Sequence, residues 1–148
     1  MTAKEFMKQH ERVVEKIRQI EIQIYDIEQT LGVKGVNYDS QPHGNGISQV
    51  TESTATKLIE LREVQRDLVD KLWTKRIEIE RIIFMIENAT FAELLQRKYI
   101  RLQKWEDIAT DMKFDSRYIY KLHGKALVEV DKIIRKKEDI KRQGAGRV

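Results

Sequence analysis

Two stretches of this 148-residue chain repeat apolar side chains on a seven-residue period, and few folds are open to a chain so patterned. In the first, Phe6, His10, Val13, Ile17, Ile20, Ile24, Ile27 and Leu31 step by alternating fours and threes. In the second, Leu58, Leu61, Gln65, Leu68, Leu72, Lys75, Ile79, Ile82 and Ile86 do the same. The spacing predicts one helix over residues 3–31, stopped by Gly32, and another over about 54–88. At the helical rise these would be roughly 43 and 52 Å long. Such helices can pair as an antiparallel hairpin within one chain or between two chains, and the heptads point to a homodimer through the N-terminal helices. His10, Gln65 and Lys75 interrupt the apolar line, and polar seam residues cost stability while fixing register or oligomeric state.

Between the two runs, residues 32–53 hold Gly35, Asn37, Asp39, Pro42, Gly44, Asn45 and Gly46, a loop composition. About twenty residues is long for a helix connection, which usually runs to about eight. Gly32, Lys34 and Gly35 lack the spacing and preceding strand of a phosphate-binding loop.

The C-terminal third has a different organisation. Asn88 is expected to end the second helix, and Thr90 with Glu93 reads as a capping box opening a third. Phe91, Leu94, Leu95 and Tyr99 would be its inward face. A short helix from Trp105 to Met112 follows, then a turn at Lys113 and Phe114. Asp115 is then expected to cap a helix running from Ser116 to about Lys137. Trp105, Ile108, Ala109 and Met112 share one face, and small Ala109 lies where the two helices should cross. Phe114 can plug the turn. Ile119, Leu122, Ala126, Leu127 and Val130 make an inward face on the last helix. Arg117, Tyr118, Tyr120, Lys121, Gly124 and Lys125 make an outward one. Two helices with a short turn, a basic second helix and a small residue at the crossing form a helix-turn-helix, whose second helix enters the DNA major groove. A solvated amphipathic helix in a bundle is the plain alternative.

Charge supports the DNA reading. Residues 96–148 hold 15 Lys and Arg against 8 Asp and Glu, whereas residues 1–95 hold 13 against 16. Part of that excess is a basic tail of Lys136, Lys137, Lys141, Arg142 and Arg147, with residues 144–146 expected to be flexible. The absence of cysteine excludes disulfides and thiolate metal sites and suits the cytoplasm. No apolar run reaches membrane-spanning length and no signal-peptide core is visible, so no membrane partner is expected. His10, His43 and His123 fall on different elements, which gives no metal site, and no nucleophile motif is present. No cofactor and no enzymatic activity are expected. His43 reads as a solvent-exposed loop residue, and His123 as a phosphate-contact candidate beside the basic face. Asn88-Ala89-Thr90 matches a glycosylation acceptor, taken here as chance plus helix capping. Trp73, next to seam residue Leu72, suggests a second interface.

The run Trp105-Glu106-Asp107-Ile108-Ala109 before the turn, and Ala126-Leu127 closing the last helix, resemble region four of bacterial sigma factors. The whole chain resembles small phage-encoded regulators of late transcription, of the ArpU and RinA type. These share a long N-terminal helix, a Lys-Gly-x-x-Tyr-Asp-x-x-Pro-x-Gly loop, a charged second helix and a sigma-like reader. Here the loop reads Lys34-Gly35-Val36-Asn37-Tyr38-Asp39, then Pro42 and Gly44. The resemblance implies sequence-specific binding of double-stranded DNA near a promoter, activation of late genes in a bacterial host, and contact with RNA polymerase. By position it assigns Ser116, Arg117, Tyr118, Tyr120 and Lys121 to bases or phosphates, and Lys125 joins these DNA-binding candidates from the outward basic face. Lys113 stands where sigma-like readers often have glycine, and Gly124 interrupts the recognition helix. Tyr118 and Tyr120 stand where such readers often place arginine, which points away from a standard promoter element.

The expected architecture is therefore all-α. Residues 1–88 would form a coiled-coil hairpin with its loop at 32–53, residues 89–138 a helix-turn-helix domain, and residues 139–148 a basic flexible tail. A phage small terminase subunit joins the same kinds of element. So does a protein-interaction module that contacts polymerase or a sigma factor instead of DNA.

Overall fold

In the computed structural model the described residues are 1–32 and 45–146, with side chains described outside 45–50. The expectations for the 32–53 loop that rest on Lys34, Gly35, Tyr38, Asp39, Pro42, His43 and Gly44, and that for Arg147, lie outside the described residues. Among the described residues the chain is all-α, with no strand. The described residues form six helices, α1 (Ala3–Met7), α2 (Gln9–Thr30), α3 (Asn45–Phe84), α4 (Ala89–Leu95), α5 (Trp105–Met112) and α6 (Ser116–Ala145). A π-helical turn, Gln96–Ile100, extends α4. None of the described helices is long and apolar enough to cross a membrane. The chain divides into two compact units, Met1–Arg12 with Trp73–Val148, and Val13–Leu72.

In the unit Val13–Leu72, burial follows the heptads. Val13 and Ile24 are buried, and Ile17, Ile20, Ile27 and Leu31 are half-buried on α2. On α3, Leu58, Leu61, Gln65, Leu68 and Leu72 are half-buried while the residues flanking each are exposed. Two helices alone can cover each other on only one side, so the seam stays half-open. The Arg62 Nη2 donates to Glu28 Oε1 at 2.6 Å, joining α3 to α2.

The other unit has two apolar clusters. One gathers Ala3 and Met7 from α1, Ile79, Ile82 and Ile83 from the end of α3, Ile86 just beyond it, Leu95, Tyr99 and Ile100, and Ala126 and Val130 from α6. The second joins Leu94, Ile108, Ala109, Ile119 and Leu122, with Phe91, Trp105, Met112 and Phe114 at its edge. Each fully buried Leu, Ile or Met contributes about 1.5–3 kcal/mol through apolar area removed from water. The inward face expected for α6 is the buried one: Ile119, Leu122, Ala126 and Val130 are buried and Leu127 is half-buried.

Several local expectations are corrected. The N-terminal helix is divided at Lys8, although the bonds from Lys8 N–H to Lys4 O and from Arg12 N–H to Lys8 O carry across. A capping box forms at its start, where Glu5 N–H donates to Thr2 Oγ1 and Thr2 N–H to Glu5 Oε2. The box expected at Thr90 and Glu93 is absent. Asn88 caps α4 instead, its Oδ1 accepting from the N–H groups of Thr90 and Phe91 at 3.0 and 3.2 Å. That start places Thr90 inside the first turn and leaves the Glu93 carboxylate to pair with Arg97 one turn on. Helix α3 starts nine residues before the expected 54, at Asn45, and ends at Phe84 rather than 88. Helix α6 continues past Lys137 to Ala145, into the segment expected as a tail, because residues 132–142 are mostly strong helix formers.

Candidate nucleic-acid interface

The turn between α5 and α6 sets the site. At the end of α5, Lys113 has φ 58° and ψ 41°, the left-handed conformation glycine favours. Its N–H donates to Thr110 O and the Phe114 N–H to Ala109 O, which closes a Schellman motif. Phe114 then packs on the second cluster, beside Ala109. Asp115 occupies the N-cap of α6 and its carbonyl accepts from the Ile119 N–H, but its side chain caps nothing. The first turn of α6 also holds no acidic residue, although acids are favoured there by the helix dipole.

All six residues assigned to the site are exposed, and all lie in residues 116–125 of α6: Ser116, Arg117, Tyr118, Tyr120, Lys121 and Lys125. Residues 116–128 include no Asp or Glu. Among the described residues, Lys113, Arg117, Lys121 and Lys125 form no ion pair. The distal half of the same helix differs, since Lys132 pairs with Glu129 and Arg135 with Asp131. Among the described residues Lys136, Lys137, Lys141 and Arg142 form no ion pair either, so what sets the first three turns apart is that they hold no acidic residue.

The two tyrosines are half-exposed and braced from behind. The Tyr118 ring meets Phe114 edge-on at 5.1 Å, and Tyr120 lies 5.0 Å from Trp105. Trp105 in turn carries the Lys98 ammonium 4.7 Å over its ring and contacts His123 at 4.7 Å. Both hydroxyl-bearing rings therefore rest against aromatic residues of the fold.

His123 is not on the outer face. It is buried, stacked on Tyr99, and its Nε2 lies 2.6 Å from the Tyr99 hydroxyl. Burial, then the neighbouring Lys4, Lys98 and Lys8, push its pKa down to about 4, and burial pushes Tyr99 up to about 12. With the imidazole neutral and the phenol protonated, the hydroxyl is assigned as donor to Nε2. The expectation of phosphate contact fails because its helical position is one turn beyond Ile119 on the inward side, where Tyr99 satisfies it.

His10 also meets Tyr99, its Nδ1–H donating to the Tyr99 carbonyl at 3.0 Å. Its pKa is lowered by burial, which the Tyr99 hydrogen bond opposes. Two histidines expected to lie apart thus converge on one tyrosine. No sequence signal pairs residues 10, 99 and 123; only the π-helical turn, which carries Tyr99, brings them together. Among the described residues no group of three or more His, Cys, Asp or Glu is placed to hold a metal ion.

Arg97 fixes the approach of α5. Its Nε donates to Glu93 Oε1 at 3.1 Å, and its Nη1 to Gln103 Oε1 at 3.3 Å and Asp111 Oδ2 at 3.1 Å. Leu102, at φ 56°, turns the chain between these partners. Away from this face, an open groove of about 720 Å³ runs beside distal α6, lined by Met85, Phe91, Lys132, Ile133, Lys136 and Ile140. Comparison of the chain with protein-family models, with curated proteins and with solved structures finds no match.

Proposed function

We propose that this protein binds double-stranded DNA through the first three turns of α6 and regulates transcription, as the phage late-gene regulators it resembles do. The observation that carries the reading is the exposed, acid-free face of residues 116–128, with Arg117, Lys121 and Lys125 unpaired and Tyr118 and Tyr120 braced. Cations there meet phosphates, and the oriented hydroxyls and guanidinium meet base edges. A second copy pairs through the helices of Val13–Leu72, where Ile22, Tyr25, Ile59, Val64 and Val69 remain exposed outside the heptad seam. Light scattering on the full chain tests that pairing, and a monomer at tens of micromolar rejects it. A ring of eight or more subunits would instead favour a phage small terminase subunit, which recognises DNA for packaging.

The decisive experiment is titration of the full chain onto duplex DNA at two salt concentrations. Affinity falls steeply with salt, because counterions return to the phosphates. Arg117→Ala and Lys121→Ala each weaken binding and each reduce the salt slope by about one if they contact phosphate. If neither does, the face is misassigned.

A second reading has its own support. Phe84 is 91% exposed, and Met85 and Ile140 beside the distal groove are exposed too. That surface fits a protein partner such as RNA polymerase, which an activator needs as well as DNA. A chain that holds polymerase but shows no salt-dependent duplex binding would be the interaction module alone.

A further inference from the structure

Gly124 lies at the centre of the exposed side of α6. At about 100° per residue, it falls opposite the buried strip of Ile119, Leu122, Ala126 and Val130. Tyr120 stands one turn before it and Val128 one turn after, both about half-exposed. Arg117, Lys121 and Lys125 form the neighbouring row on one side of that line.

Glycine inside a helix is unfavourable, by about fivefold in the folding equilibrium relative to alanine. Two internal reasons can offset that, and neither applies here. Gly124 is not among the residues with positive φ, so its backbone is one any residue adopts. A Cβ built on it meets nothing within 4 Å, so no neighbouring element needs the space. Gly144, further along α6, shares both properties, so what distinguishes Gly124 is its place on the cationic face, where bare backbone permits close approach by something outside the chain. The surroundings state its chemistry. Three unpaired cations and no acid in residues 116–128 call for a polyanion, and a helix presented along its length needs a groove to lie in. The major groove of duplex DNA, about 12 Å wide, admits a helix and is lined by phosphates.

We infer that Gly124 is the point of closest contact, where the bare backbone of α6 meets the floor of the major groove and sets how deep Tyr120, Lys121 and Arg117 reach. This rests on the DNA reading given above and adds a depth-setting residue that carries no side chain of its own.

The test uses the full chain, duplex fragments selected by the wild-type protein from a random-sequence pool, and the variants Gly124→Ala and Gly124→Leu. Both variants should fold, with the folding equilibrium of Gly124→Ala raised about fivefold in denaturant titrations. Both should bind the selected duplexes more weakly, and Gly124→Leu by about tenfold or more, the size of one lost base contact. Stability and affinity thus move in opposite directions, which a merely structural glycine would not produce. Unchanged or tighter binding by both variants, with Arg117→Ala still weakening it, overturns the inference and leaves DNA binding standing. Failure of the wild-type chain to select any duplex removes both.

Discussion

The hydroxyl of Tyr99 and Nε2 of His123 stand 2.6 Å apart inside the protein, a contact between the π-helical turn and α6 that only a neutral imidazole accepts. It makes the fold sensitive to acid. An unfolded histidine takes up its proton near 6.5, whereas folded His123 does so near 4. Above pH 6.5 both states are neutral at this site, and pH has no effect through it. As pH falls from 6.5 towards 4 the unfolded chain gains a proton that the folded one refuses, so stability drops, on the order of 3 kcal/mol in all. His10 is shifted in the same direction. Urea midpoints should therefore be lower at pH 5 than at pH 7, and His123→Asn should flatten that difference. An equal drop in both proteins would assign the titration elsewhere.

Tyr99→Phe removes the donor and leaves a buried acceptor unmatched. The expected cost is about 1–2 kcal/mol at pH 7, read from denaturant unfolding, with little change in the exposed face of α6.

Arg97 makes hydrogen bonds to Glu93, Gln103 and Asp111, and its side chain is only 18% exposed. Isolated surface pairs contribute little, but one guanidinium serving three partners on two helices and their connection is a network. Arg97→Ala should cost about 1–2 kcal/mol in thermal or chemical unfolding, and Arg97→Lys should recover only part of that, because ammonium lacks the planar fork.

Lys113→Gly relieves a left-handed residue and should stabilise the protein by up to about 1 kcal/mol, the strain being partly offset by greater freedom in the unfolded chain. If Lys113 reaches phosphate, the same variant binds duplex DNA less tightly. Calorimetry and a binding titration on one preparation read both.

Trp105 touches Tyr120, whereas Trp73, 53% exposed, is the chain's other tryptophan. In a Trp73→Phe background, fluorescence reports Trp105 alone. Duplex DNA seated on α6 should shift or quench that emission in proportion to occupancy. Unchanged emission at saturation would place the ligand elsewhere.

Periodicity made most of the helices legible, because burial on one side of a helix leaves a three-four spacing in the sequence. Val13, Ile24, Ile79, Ile82 and Ile86 are buried where the heptads put them. Ile119, Leu122, Ala126 and Val130 were readable for the same reason, and the exposure of Arg117 and Lys121 followed by subtraction. Helix ends were less legible, since competing caps lie two residues apart and only packing chooses between Asn88 and Thr90. The meeting of His10 and His123 at Tyr99 left no trace, because it joins residues distant in sequence through a backbone carbonyl and a ring. The bracing of Tyr120 by Trp105 was hidden likewise.

Helix α6 is a single unbroken rod, about 45 Å long, that belongs to both apolar clusters: Ile119 and Leu122 anchor it in one, Ala126 and Val130 in the other. The two clusters consequently share a spine. A ligand held on the first turns of that spine would therefore sit on a helix against which both clusters pack.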